Sequence, residues 1–78
     1  MEKQKIYEFI DLFVKHRNGW GISSQGAHLR NDLGLTSMDV VELLVDLEKE
    51  FSIHINDELV EKWETVDDVI DTVYDLVD

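Results

Sequence analysis

Apolar residues recur at helical spacing in three places along this chain. Ile6, Phe9, Ile10, Phe13 and Val14 fall at i, i+3, i+4, i+7 and i+8, with Lys5, Glu8 and Lys15 on the opposite side. That stripe predicts an amphipathic helix with one buried face. Asn18-Gly19 supplies its stop, because glycine readily takes the left-handed conformation that closes a helix. A second helix is predicted from Thr36 or Ser37 to about Phe51, and a last one carries the stripe Val66, Val69, Ile70, Val73 and Val77, with Asp67, Asp71, Asp75 and Asp78 along its outside. Both open on Thr-x-x-Asp, Thr36 to Asp39 and Thr65 to Asp68. At that spacing the threonine hydroxyl and the acidic side chain cap each other's backbone amides. Leu59 and Val60, ahead of Trp63, predict a short helix between them, begun by Asn56.

Residues 18–36 break the periodicity. They hold all four glycines of the chain, together with Ser23, Ser24 and Asn31, which is loop composition. Leu29, Leu33 and Leu35 are expected to pin this loop to the core. A connection of this length in a small domain points to function or to a short buried turn. The chain has no proline and no internal repeat. The expected fold is all-α: a four-helix bundle with three long helices, one short helix and a long loop between helices 1 and 2, residues 1–78 forming a single domain.

The second helix carries more apolar surface than a bundle needs. Val40, Leu43, Leu44, Leu47 and Phe51 share one arc of its wheel, which suffices to seal a core. Met38, Val41 and Val45 form a second arc about 130° away, bordered by Glu42 and Glu48, while Asp39, Asp46 and Glu50 lie beyond the first. Either the bundle wraps this helix more fully, or the second arc is an exposed docking strip rimmed by carboxylates.

Charge sharpens that choice. The chain has 78 residues, 44% of them hydrophobic, with 7 Lys/Arg against 18 Asp/Glu for a formal net charge of −11. Residues 1–30 carry a surplus of two positive charges, and residues 31–78 stand at −13. Such acidity argues against nucleic acid and anionic membranes, and favours partners with basic patches. No apolar run approaches the roughly 20 residues of a membrane span, and Met1 to Lys5 is too polar to open a secretory signal. A cytoplasmic monomer is expected. With no cysteine, disulfides, thiolate metal sites and a cysteine nucleophile are excluded.

The stretch Asp32-Leu33-Gly34-Leu35-Thr36-Ser37-Met38-Asp39-Val40-Val41-Glu42-Leu43 resembles the modification segment of acyl carrier proteins. That family shows Asp-Leu-Gly, two residues, Ser-Leu-Asp and then a Val-Glu step. Leu47 to Phe51, followed by Ile53, Ile55, Asp57 and Glu58, is similar to the family's second-helix end and loop, and the resemblance spans roughly residues 3–77. It implies that Ser37 carries 4′-phosphopantetheine as a phosphodiester, whose thiol holds an acyl group as a thioester. It also implies a non-catalytic shuttle for fatty-acid or related acyl biosynthesis. Its partners would be a phosphopantetheinyl transferase and acyl-chain synthesis or transfer enzymes with basic docking patches. Met38, Asp39, Val41, Glu42, Val45 and Glu48 would form the docking surface.

The chemistry of Ser37 agrees with that role. A hydroxyl at a helix start stands at the positive end of the helix dipole, where a phosphodiester's charge is favoured by about 0.3–1 kcal/mol. The sequence departs from the family pattern at Thr36, where Asp is usual and is linked to metal-assisted transfer of the cofactor. It departs also at Met38 (usually Leu), Asn56 (commonly Pro), His54 and Trp63, and a Trp near this last place occurs in D-alanyl carriers. The alternatives are therefore an unmodified helical adaptor or a peptidyl or D-alanyl carrier. His16, His28 and His54 lack zinc-ligand spacing and read as surface or loop residues. A Ser37–His54–Asp triad is open to the sequence, but no nucleophile elbow accompanies it. Trp20 and Trp63 are expected in or at the edge of the core.

Overall fold

A computed structural model describes residues 2–77. Four helices follow one another: α1 (Lys3–Asn18), α2 (Ser37–Phe51), α3 (Asp57–Glu61) and α4 (Val66–Leu76). This is the expected all-α architecture, with the long loop between α1 and α2. The radius of gyration, 11.2 Å, is close to the roughly 11.5 Å of a compact chain of this length.

Local chemistry accounts for the helix boundaries. α1 ends at Gly19, whose φ of 87° is left-handed and whose N–H donates to the Lys15 carbonyl. Both threonine capping boxes form: Thr36 and Asp39 cap each other at the head of α2, and Thr65 and Asp68 do so at the head of α4. Asn56 Oδ1 accepts the Glu58 N–H at 3.0 Å and starts α3. α2 ends without a glycine, at Ser52 with φ 54°.

The stripes converge on one core. Ile6, Ile10, Phe13 and Val14 of α1 meet Leu43 and Leu47 of α2 and Val66, Val69, Ile70 and Val73 of α4, all buried. Phe9 and Phe51 close the α1–α2 contact edge to face, their ring centroids 5.7 Å apart. Val77 packs against the core just beyond α4; Asp67, Asp71 and Asp75 are exposed as expected, and Asp78 lies outside the described residues.

The loop contributes Leu29, Leu33 and Leu35 to this core, as predicted. It is stitched to the head of α4: Leu29 N–H donates to the Glu64 carbonyl at 2.8 Å, and Val66 and Asp67 donate to the Ala27 and Gln25 carbonyls at 3.1 and 3.0 Å. Amides at a helix start lack partners within the helix, so the loop satisfies two that would otherwise need water. Residues 28–35 wind into a tight turn, with Gly34 at φ 74° releasing the chain toward α2. Gly21 lies against α1, where an added Cβ would meet Asp11 Oδ1 at 2.5 Å. One expectation fails: Trp20 is 65% exposed. Its backbone N–H and that of Gly21 are both captured by Asn18 Oδ1, at 2.9 and 2.8 Å, in the turn that follows Gly19. That turn sets the direction of the indole before packing can. Trp63 does belong to the core, and its indole N–H donates to Thr72 Oγ1 at 3.0 Å.

Candidate functional site

Ser37 is the first residue of α2 and is exposed. Its position follows from the cap beside it. Thr36 Oγ1 accepts the Asp39 N–H at 3.1 Å, and Asp39 Oδ2 accepts the Thr36 N–H at 2.9 Å. The cap is therefore complete without Ser37, whose hydroxyl faces outward at the helix mouth. The Arg30 guanidinium, on the turn of residues 28–35, donates to Ser37 Oγ. Beside the pair opens a cleft of about 360 Å³, walled by His28 and Arg30 of the loop, Val40 and Val41 of α2, and Val60, Glu61 and Trp63 around α3.

The second arc of α2 is open to solvent. Met38 is 66% exposed, Val41 49% and Val45 40%, whereas Leu43 and Leu47 on the first arc are fully buried. Of the two readings the sequence allowed, the bundle does not wrap this side of the helix. An apolar strip thus runs along α2 from the exposed serine.

The carboxylates around that strip are partly committed to the chain itself. Arg17 of α1 donates to Asp39 Oδ1 at 3.2 Å and to Glu42. Its guanidinium also stacks 4.2 Å above the Phe13 ring centroid. Glu42 in first place, then Asp39, holds the Arg17 pKa above its ordinary value. The Asp39 carboxyl is held below the usual carboxylate range, chiefly by the Thr36 backbone N–H, then by the Thr36 hydroxyl and Arg17, against a smaller opposing push from burial. At the far end, Glu48 Oε2 accepts the Ile55 N–H at 2.8 Å and lies 3.4 Å from His54 Nδ1.

Sequence reasoning singled out Ser37, Met38, Asp39, Val41, Glu42, Val45 and Glu48, and the fold sets all of them along α2. It missed Arg30 and Arg17, which reach α2 from outside it. The triad does not assemble: Ser37 opens α2, whereas His54 lies past its end with its ring against Glu48, a residue roughly 16 Å along the helix from Ser37 at 1.5 Å per residue. His54 is 91% exposed, as a surface histidine should be. His28 is a loop histidine, and its Nδ1 accepts the N–H groups of Arg30 and Asn31, each at 3.1 Å.

Comparisons with known proteins converge on this region. The family model described as a phosphopantetheine attachment site matches residues 21–73. The crystal structure of an acyl carrier protein from Thermotoga maritima superposes with a TM-score of 0.80 at 28% identity, over 96% of this chain and 89% of that one. The solution structure of an apo doublet acyl carrier protein from prodigiosin biosynthesis shares the fold, with a TM-score of 0.71 at 24% identity over 94% of this chain and 36% of that one. Among the described residues, no helix is long and apolar enough to cross a membrane.

Proposed function

Because the chain belongs to the phosphopantetheine attachment-site family, as a non-catalytic carrier of the acyl carrier type, we propose that residues 1–78 are one carrier domain with Ser37 as its attachment residue. The carrying observation is the Ser37 hydroxyl, exposed at the mouth of α2 and spared by the cap that builds the helix. The residues around it fit the group: an oxygen open to a modifying enzyme, a guanidinium beside it, and an adjoining cleft lined largely by apolar residues. When bound, the arm supplies a thiol that holds an acyl group as a thioester. The positive end of the α2 dipole favours a phosphodiester on this oxygen.

Met38, Val41 and Val45 form the docking strip on this reading, with Asp39, Glu42 and Glu48 at its border. The strip suits a phosphopantetheinyl transferase and client enzymes that present an apolar dent rimmed by basic residues. A partner seated there stands next to the serine, so the tether raises the local concentration of cargo at its active site without any catalytic group on the carrier. Fatty-acid or related acyl biosynthesis is the leading context, in the cytoplasm. A peptidyl or D-alanyl carrier is the nearest variant, supported by the bulk of Trp63 beside the cleft.

Incubation with coenzyme A, magnesium and a broad-specificity phosphopantetheinyl transferase tests the assignment by intact mass. The expected result is one added phosphopantetheinyl group in the native chain and none in Ser37→Ala. Addition that survives the substitution refutes Ser37. A second reading, an adaptor that is never modified, draws on Thr36, whose hydroxyl serves the cap where the family usually has an acid. Protein purified from its native source decides between them, since an adaptor carries no arm.

A further inference from the structure

We propose that Arg30 is the positioning residue for the prosthetic group, its guanidinium pairing with the phosphodiester once that group is joined to Ser37. This rests on Ser37 being the attachment residue, and it adds a second residue that neither the serine motif nor the helix supplies.

The argument starts from where this chain spends its cations. Arg17 holds two carboxylates, Asp39 and Glu42; Lys3 holds Asp71, and Lys15 holds Asp11. Among the described residues Arg30, like Lys5, Lys49 and Lys62, has no carboxylate within ion-pair distance, but it alone of these four donates its side chain to the neutral Ser37 hydroxyl. In a chain of net charge −11, an arginine directed at a neutral oxygen instead of a carboxylate stands out. The missing counter-charge is the one that a phosphodiester brings to that same oxygen.

The turn beneath Arg30 is built to hold it there. The Arg30 N–H donates to His28 Nδ1 at 3.1 Å, and its carbonyl accepts the Gly34 N–H at 3.1 Å. Asp32 Oδ2 accepts the His28 N–H at 2.7 Å and locks the turn from its other side. The neighbours Leu29 and Leu33 are buried in the core. The backbone is therefore fixed before any ligand arrives, and only side-chain rotamers remain to be ordered on pairing. A guanidinium presents a planar fork of donors that matches phosphate oxygens, so lysine is an imperfect substitute.

The electrostatic setting gives the pairing a purpose. Residues 31–78 carry −13, and Asp39 and Glu61 stand near the serine, so a further anion at this point is opposed unless a cation meets it. Arg30 supplies that cation from the loop side and anchors the root of the arm on the rim of the cleft.

The test compares wild type, Arg30→Lys and Arg30→Gln, each as apo protein and after loading verified by intact mass. Thermal melts give the change in Tm on loading, and ³¹P NMR gives the phosphodiester resonance. The apo proteins should melt together, because among the described residues the Arg30 side chain bonds to nothing but the serine. Loading should raise or maintain the wild-type Tm and lower that of Arg30→Gln by several degrees, with Arg30→Lys between them. The ³¹P resonance of Arg30→Gln should move away from that of wild type. The same loading shift and the same ³¹P resonance in wild type and Arg30→Gln would overturn the proposal. An apo Arg30→Gln that already melts well below wild type would also overturn it, by making the residue structural. Failure of wild type to gain the mass would instead remove Ser37 as the attachment residue, a result that cannot be mistaken for an unchanged shift.

Discussion

The two arcs of α2 make a sharp prediction, because one helix should answer to substitution in two opposite ways. Val41→Ala removes two methyl groups, worth about 1.6 kcal/mol if both were fully buried. Val41 is 49% exposed, so the loss is about half of that, roughly 0.8 kcal/mol. Alanine is the better helix former by about 0.5 kcal/mol, which offsets most of it. The net cost is about 0.3 kcal/mol, a fall in Tm of about 1–2 °C for a domain this small. Leu43→Ala, two residues away and fully buried, loses its transfer energy and leaves a cavity, at a cost of about 2.7–5 kcal/mol. Its Tm should fall by at least about 10 °C. Circular dichroism melts of the two apo variants measure this contrast. Loading by the transferase at sub-saturating carrier concentration measures the other side. There Val41→Ala should slow the reaction roughly fivefold, the equivalent of about 1 kcal/mol of lost docking energy. A Val41→Ala melt that falls with Leu43→Ala would show that the strip is core. Loading of Val41→Ala at the wild-type rate would show that the strip is not where the enzyme docks.

Two further outcomes concern the capping boxes. Thr65→Ala removes the acceptor for the Asp68 N–H and should cost about 1 kcal/mol, lowering Tm by about 4–8 °C, while Thr65→Ser retains most of the stability. The box carboxylates also set the acid limit of the fold. Asp68 is held below the usual carboxylate range by the backbone N–H groups of Thr65 and Glu64 before any other cause, and Asp39 chiefly by that of Thr36. A carboxyl whose folded pKa is depressed contributes stability that is fully present above its unfolded value of about 3.9 and is lost as pH falls through the folded value. Denaturant titrations should therefore show stability dropping below about pH 4, and the drop should be shallower in Asp39→Asn/Asp68→Asn. An acid limb of unchanged slope would mean that other groups set it.

The helices were legible in the sequence because their causes are local. A threonine and an aspartate three residues apart are enough to build each box, and the stripe from Val66 to Val73 needs only helical periodicity. The position of Ser37 at the helix mouth was legible for the same reason, lying one residue after such a cap, whereas its proposed role came from the resemblance of residues 32–43. What was hidden depends on contacts across the fold. The loop meets the head of α4 through residues 28 and 65, which pair in a short antiparallel bridge that no local pattern announces. Trp20 was misread because large aromatic residues are usually buried, whereas here Asn18 takes the backbone amides of Trp20 and Gly21, just after Gly19, and decides the direction first. Arg30 and Arg17 look like ordinary loop and helix-end cations in sequence. Only folding brings them seven and 22 residues along the chain to Ser37 and Asp39.

Those two arginines change what the acidic surface means. Read as sequence, α2 offers its carboxylates to whatever basic partner arrives. In the fold, Arg17 already engages Asp39 and Glu42, and Ile55 engages Glu48. On the docking reading a partner's basic groups therefore enter an exchange: they displace or share Arg17 instead of neutralising free acids. Exposed ion pairs break at little net cost, because water and salt screen both states. The acids then contribute mainly to encounter and orientation, and the apolar strip of Met38, Val41 and Val45, which the fold leaves 40–66% exposed, carries the contact that holds. Docking of this kind is weak by construction, and a carrier that must leave each enzyme to reach the next requires that weakness.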